Sequence, residues 1–116
     1  MALRAPVSFE FYPPKTDEQR AQLDRSVQRL KAHAPQFMSV TFGAGGSTLS
    51  HTPETVQRLR SEHGVAGVPH ITCVGGSREE IRSLLKLYRA LGCDRVVALR
   101  GDTPSGMARS GDLRYA

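Results

Sequence analysis

Phe37-Met38-Ser39-Val40-Thr41-Phe42, running directly into Gly43-Ala44-Gly45-Gly46-Ser47, is the stretch on which the fold turns. Its apolar and β-branched residues predict a strand, which the glycines leave through a turn rich in backbone donors. Thr52-Pro53 then opens a helix whose proline suits the first helical position. Val56 and Leu59 give that helix an apolar face, and Gly64 is a left-handed stop. A strand that hands over to an amphipathic helix is one unit of an α/β fold.

The same unit recurs on both sides. Upstream, Pro6-Val7-Ser8-Phe9-Glu10-Phe11 reads as a strand ended by Pro13-Pro14. Thr16 with Gln19 makes a capping box; Leu23, Val27, Leu30 and Ala34 then fall on one helical face, and Pro35 ends the helix. Downstream, Val65 to Cys73 contains a third strand. Ser77 with Glu80 caps a helix striped by Ile81, Leu84, Leu85, Tyr88 and Leu91, which Gly92 closes. Arg95-Val96-Val97-Ala98-Leu99-Arg100 is a fourth strand. Gly101-Asp102 then begins a polar, aperiodic segment, with residues 103–116 read as a loop or tail.

From Glu10 to Thr41 is 31 residues, from Thr41 to His70 is 29, and from His70 to Arg100 is 30. Right-handed crossovers at so even a period give a parallel sheet. A barrel of eight units allots about 31 residues to each. A doubly wound sheet is the alternative, but each strand ends in polar residues at its carboxyl side, where barrel enzymes assemble their sites. The expected architecture is therefore α/β: four parallel strands alternating with three helices, the N-terminal half of a (β/α)8 barrel. One partial domain would span residues 1–116 and stop short of closure, leaving two strand edges and the inner face uncovered and prone to assembly or aggregation.

Composition narrows the function classes. In 116 residues, 39% are hydrophobic and 23% charged, which suits a folded domain rather than a disordered chain. No run approaches the ~20 apolar residues that cross a bilayer, and no secretory signal opens the chain, so a cytoplasmic protein without a membrane partner is expected. Cys73 and Cys93 have no metal-ligand spacing and read as reduced, buried thiols. The net charge of +5 raises the question of nucleic acid. Its basic residues are spread over polar helix faces among acidic ones, with no aromatic-plus-basic strand for base stacking, so no nucleic-acid partner is expected.

Four polar sites recur at one structural phase. Glu10, between Phe9 and Phe11, is either a buried carboxyl with a raised pKa and a proton to give, or an edge glutamate facing water or paired with Lys15. Thr41 and the glycine turn offer a hydroxyl and backbone donors to a phosphate or a polar ring edge, or form a plain turn. The turn matches neither the dinucleotide fingerprint nor the Walker loop. His70 donates to a cofactor or satisfies a buried carbonyl. Arg100-Gly101-Asp102 sets a cation and a carboxylate around a close-approach glycine, or makes a simple ion pair. One shared pocket explains the coincidence more economically than four separate accidents.

Ser8-Phe9-Glu10-Phe11-Tyr12-Pro13-Pro14-Lys15, Val40-Thr41-Phe42-Gly43-Ala44-Gly45-Gly46-Ser47-Thr48, Pro69-His70-Ile71-Thr72-Cys73 and Ala98-Leu99-Arg100-Gly101-Asp102 together resemble methylenetetrahydrofolate reductases, in order and spacing as well as in motif. The resemblance implies an FAD enzyme on a (β/α)8 barrel. Such an enzyme uses NADH or NADPH to reduce its folate substrate, 5,10-methylenetetrahydrofolate, to 5-methyltetrahydrofolate for methionine biosynthesis, with the nicotinamide and the folate stacking in turn on one flavin. It implies a general-acid role for Glu10, opening the five-membered ring of the folate, and a carboxylate beside flavin and pterin for Asp102. FAD contacts are implied for Thr41, Ala44, His70, Arg100, Gly101 and Asp102, and a homo-oligomer for the full-length parent. Four units are half of such a barrel, so the 116-residue chain is expected to lack reductase activity and to bind FAD weakly or not at all. The alternative is a stand-alone phosphate- or flavin-binding α/β module.

Overall fold

A computed structural model describes residues 5–42, 51–73 and 77–100. Four strands, β1 (Ser8–Phe11), β2 (Phe37–Val40), β3 (Gly67–Thr72) and β4 (Val97–Leu99), alternate with three helices, α1 (Asp17–Leu30), α2 (His51–Ser61) and α3 (Arg78–Ala90). All neighbouring strands pair in parallel, in the order β1-β2-β3-β4. The expected half of a (β/α)8 barrel is the architecture found. Strands β1, β2 and β4 are shorter than their apolar runs.

Local signals set the helix ends. Thr16 Oγ1 accepts from the Gln19 amide at 3.1 Å, and the Gln19 side chain reaches back to accept from Lys15 N at 2.8 Å, one residue beyond the usual partner. Ser77 Oγ caps α3 by accepting from Glu80 N at 3.2 Å. Helix α1 tightens into a 3-10 turn (Lys31–His33) and stops at Ala34, which takes a left-handed φ of 49°. Ala34 is therefore exposed and not part of the apolar stripe expected of it. Gly92, at φ 91°, ends α3; Cys93 N donates back to Tyr88 O at 3.0 Å, which satisfies a terminal carbonyl.

Register assigns the sheet's two faces. Phe9, Phe11, Met38, Val40 and Ile71 point toward the helices and join Leu23, Val27, Val56, Leu59, Ile81 and Tyr88 in one core. Gly67 lies under α2, where a Cβ would stand 3.0 Å from the Val56 carbonyl oxygen. On the opposite, inward face Glu10 aligns with Ser39 and Ser39 with Val68, while His70 aligns with Val97. Alternation along the strands adds Thr41, Thr72 and Leu99 to that face.

The inward face is not uniformly uncovered, contrary to expectation. Ser39, Val68 and His70 are buried, whereas Glu10 and Leu99 on the two edge strands are exposed. Side chains also approach one another across alternate strands. The Arg95 guanidinium lies 5.6 Å from the Phe37 ring centroid. Glu10 reaches toward His70 across β2.

Candidate functional site

The carboxyl ends of β1, β2 and β3 bring Glu10, Thr41 and His70 onto one face. Glu10 stands on an edge strand with 61% of its side chain exposed, so the buried alternative does not hold for this sheet. Lys15 is not its partner among the described residues; its carboxylate instead comes within 3.3 Å of His70 Nε2. That approach is close but poorly aligned, and it does not make a hydrogen bond.

His70 is buried on a central strand, and among the described residues neither ring nitrogen has a hydrogen-bond partner. Among the described residues it donates to no carbonyl. Thr41 Oγ1 is likewise buried and unpartnered. Orphaned buried polar atoms cost about 1–3 kcal/mol each, and three of them fall on this one face.

The backbone beneath these atoms is pinned. Thr41 N donates to Phe11 O at 2.9 Å, and the Thr41 carbonyl accepts from the buried Thr52 hydroxyl at 2.9 Å. Thr52 was not among the expected site residues, although a threonine-proline pair opening a helix just past a glycine turn is a readable signal. At the other side of the face, Thr72 Oγ1 donates to the Arg100 carbonyl at 3.2 Å, tying the ends of β3 and β4 together. Ala44, Gly101 and Asp102 lie outside the described residues, as do Gly43 to Ser47 of the turn.

Other polar clusters serve the scaffold. Asp24 on α1 receives Nε and Nη2 of Arg58 on its two carboxylate oxygens at 2.9 and 2.6 Å. His63 Nε2 lies 2.8 Å from the same carboxylate, and the Gln28 amide lies 3.1 Å from His63 Nδ1. Hydrogen bonds from Arg58 foremost, against the opposing effect of burial, hold the Asp24 carboxyl down at about 2. Asp24, Glu62 and His63 bring ligand atoms within 4.8 Å of one another, but the Arg58 guanidinium already takes the cation's place.

Arg60 donates to the carbonyls of Gly67 at 3.2 Å and Gly92 at 2.6 Å. Arg58 and Arg60 are thus structural cross-links rather than the solvated charges expected. Both cysteines are free and half-buried, and burial pushes the Cys93 thiol up. No helix among the described residues is long and apolar enough to cross a membrane. An apolar hollow lined by Val7, Phe9, Leu30 and His33 sits beside β1 near the end of α1 and gathers none of the strand-end polar groups.

Comparison with known proteins places this arrangement in a lineage. A family model described as methylenetetrahydrofolate reductase matches residues 2–116. The chain is 38% identical over 103 residues to a 5,10-methylenetetrahydrofolate reductase of Salmonella typhimurium, covering 89% of this chain and 35% of that protein. Against the Escherichia coli protein of the same name it is 37% identical over the same length. Against methylenetetrahydrofolate reductase (NADH) 1 of Zea mays it is 40% identical over 103 residues, 17% of that protein. The chain spans about a third of the length of the bacterial relatives it matches.

Proposed function

The chain belongs to the methylenetetrahydrofolate reductase family, and from that premise we propose that it supplies one wall of a site where NADH or NADPH reduces 5,10-methylenetetrahydrofolate to 5-methyltetrahydrofolate through FAD. The observation that carries the reading is the set of orphaned atoms, Thr41 Oγ1 and both nitrogens of His70, on the face that Glu10 shares.

These residues fit a flavin. The edge of its ring system presents carbonyl oxygens and ring nitrogens, which answer a hydroxyl and an imidazole. When bound, the flavin would supply the two-electron relay between nicotinamide and folate. Thr41 and His70 orient that ring and exchange their unmet hydrogen-bonding capacity for contacts with it. Thr52 keeps Thr41 in position through the backbone. Arg100, Gly101 and Ala44 complete the FAD contacts in this proposal, and Asp102 places a carboxylate beside flavin and pterin, where negative charge stabilises a developing cation.

Glu10 is the proton donor to the folate. Its exposed carboxyl at a strand end is within reach of a substrate lying over the face. The proton it gives to a ring nitrogen lets the five-membered ring open to the iminium that is then reduced. The nicotinamide half of the reaction needs no such proton from Glu10.

We further propose that the chain by itself does not turn over. Strands β1 and β4 are both edges, and the groups named here cover one side of a ligand. The test is a chimera in which this chain replaces the matched segment of the Salmonella relative. NADH-dependent folate reduction is expected, and Glu10→Gln should lower it by about 100-fold or more while leaving NADH oxidation by an artificial electron acceptor intact. Equal loss of both half-reactions in Glu10→Gln, or none, would contradict the assignment. A purified 116-residue chain carrying stoichiometric flavin and turning over NADH would instead support a self-sufficient module.

A further inference from the structure

We propose that His70 is the positioning residue of Glu10: its Nε2–H anchors one oxygen of the glutamate carboxyl across β2, leaving the other oxygen for the proton and Nδ1 for the polar edge of the bound ligand. The inference rests on the functional reading above, and it names a link that reading lacks. An acid on an edge strand, with most of its side chain in water, has no fixed place from which to deliver a proton.

The geometry supplies the anchor. Nε2 stands 3.3 Å from the Glu10 carboxylate, while the imidazole is buried and both its nitrogens lack hydrogen bonds among the described residues. One ring therefore holds two unmet needs on opposite sides. Glu10 is the exposed partner and His70 the buried one, so alignment of the bond falls to the glutamate side chain rather than to β3. Once Nε2 carries the proton, Nδ1 is an acceptor, so ligand contact and carboxylate placement are coupled through a single tautomer.

The surroundings make the pair testable in isolation. On the face that His70 shares, β2 presents Ser39 and Thr41, β4 presents Val97 and Leu99, and β3 itself presents Val68 and Thr72. Among the described residues Glu10 is the carboxylate that meets the imidazole, and Arg100 is the cation at the same end of the sheet. Arg100 is unchanged between wild type and a Glu10 variant, so a difference between the two reports on Glu10.

The experiment reads the tautomer of the neutral His70 imidazole from its ring 15N shifts by NMR, wild type against Glu10→Ala, with solid-state spectra serving for assembled material. Wild type should hold the Nε2–H form, and loss of the carboxyl should let the Nδ1–H form appear. Glu10 is exposed, so the substitution leaves the packing intact. An unchanged tautomer overturns the proposal, whatever the chimera does. A chimera inactive toward folate but with a changed His70 tautomer overturns the functional reading and leaves this bond standing.

Discussion

The Thr52 hydroxyl, fully buried at the start of α2, donates to the carbonyl of Thr41 at the end of β2 at 2.9 Å. It ties the first turn of α2 to the end of the preceding strand, with the Phe42 carbonyl a further 3.5 Å contact of the same hydroxyl. Thr52→Val keeps the shape and removes the donor, leaving a part-buried carbonyl short of a partner. It is expected to cost about 1–3 kcal/mol in denaturant unfolding and to move the Thr41 resonances. Thr52→Ser should recover most of both effects.

Acid should loosen the clasp between α1 and the end of α2. The Asp24 carboxyl titrates at about 2 in the folded chain against an ordinary 3.8, so its contribution is fully present above 3.8 and is lost as pH falls through about 2. With both partners partly exposed, that contribution is about 1–2 kcal/mol. Asp24→Asn should lower stability at pH 7 by that order and flatten the pH dependence between 4 and 2. An unaltered acid limb in the variant would count against the clasp.

Tyr88 makes the opposite prediction. Its ring fills the core, but its hydroxyl is buried with no hydrogen-bond partner among the described residues, and burial pushes its pKa well up. Tyr88→Phe removes an unmet polar group and keeps the ring, and should stabilise the chain by about 1 kcal/mol. A loss of stability would mean that the hydroxyl has a partner in solution.

Gly67 is expected to tolerate nothing larger. A Cβ there meets the Val56 carbonyl at 3.0 Å and the Leu59 Cβ at 3.2 Å, both on the helix packed against β3. Gly67→Ala should cost about 1–3 kcal/mol in thermal or denaturant unfolding by forcing α2 from the sheet. At Gly64, where a Cβ meets nothing, the cost should be limited to backbone strain from φ 65°, about 1–2 kcal/mol.

The fold was legible because its signals are local and repeated. Thr16, Ser77, Gly64 and Gly92 mark helix ends by their own chemistry, and the apolar runs at Phe37 and Gly67 fall a constant distance apart. Glu10, Thr41 and His70 could be singled out as polar residues at one phase of that repeat. What could not be read is how side chains meet across strands that are remote in sequence. Neither Arg95 over Phe37 nor Glu10 beside His70 leaves a mark on the chain order. The exposure of Glu10 depends on β1 being an edge, a property of the whole sheet that Phe9-Glu10-Phe11 does not encode. Arg58 and Arg60 were indistinguishable from surface charge until Asp24, Gly67 and Gly92 were folded against them.

The central claim is that the strand-end face carrying Thr41 and His70 is a flavin site. Titrating the isotopically labelled chain with FAD and mapping amide and imidazole shifts tests it most directly. Weak binding is enough, because location is the readout. Saturating shifts concentrated at Thr41, Phe42, His70 and Arg100 are the expected result. Shifts confined to the helix-covered face or to the amino ends of the strands would contradict the claim.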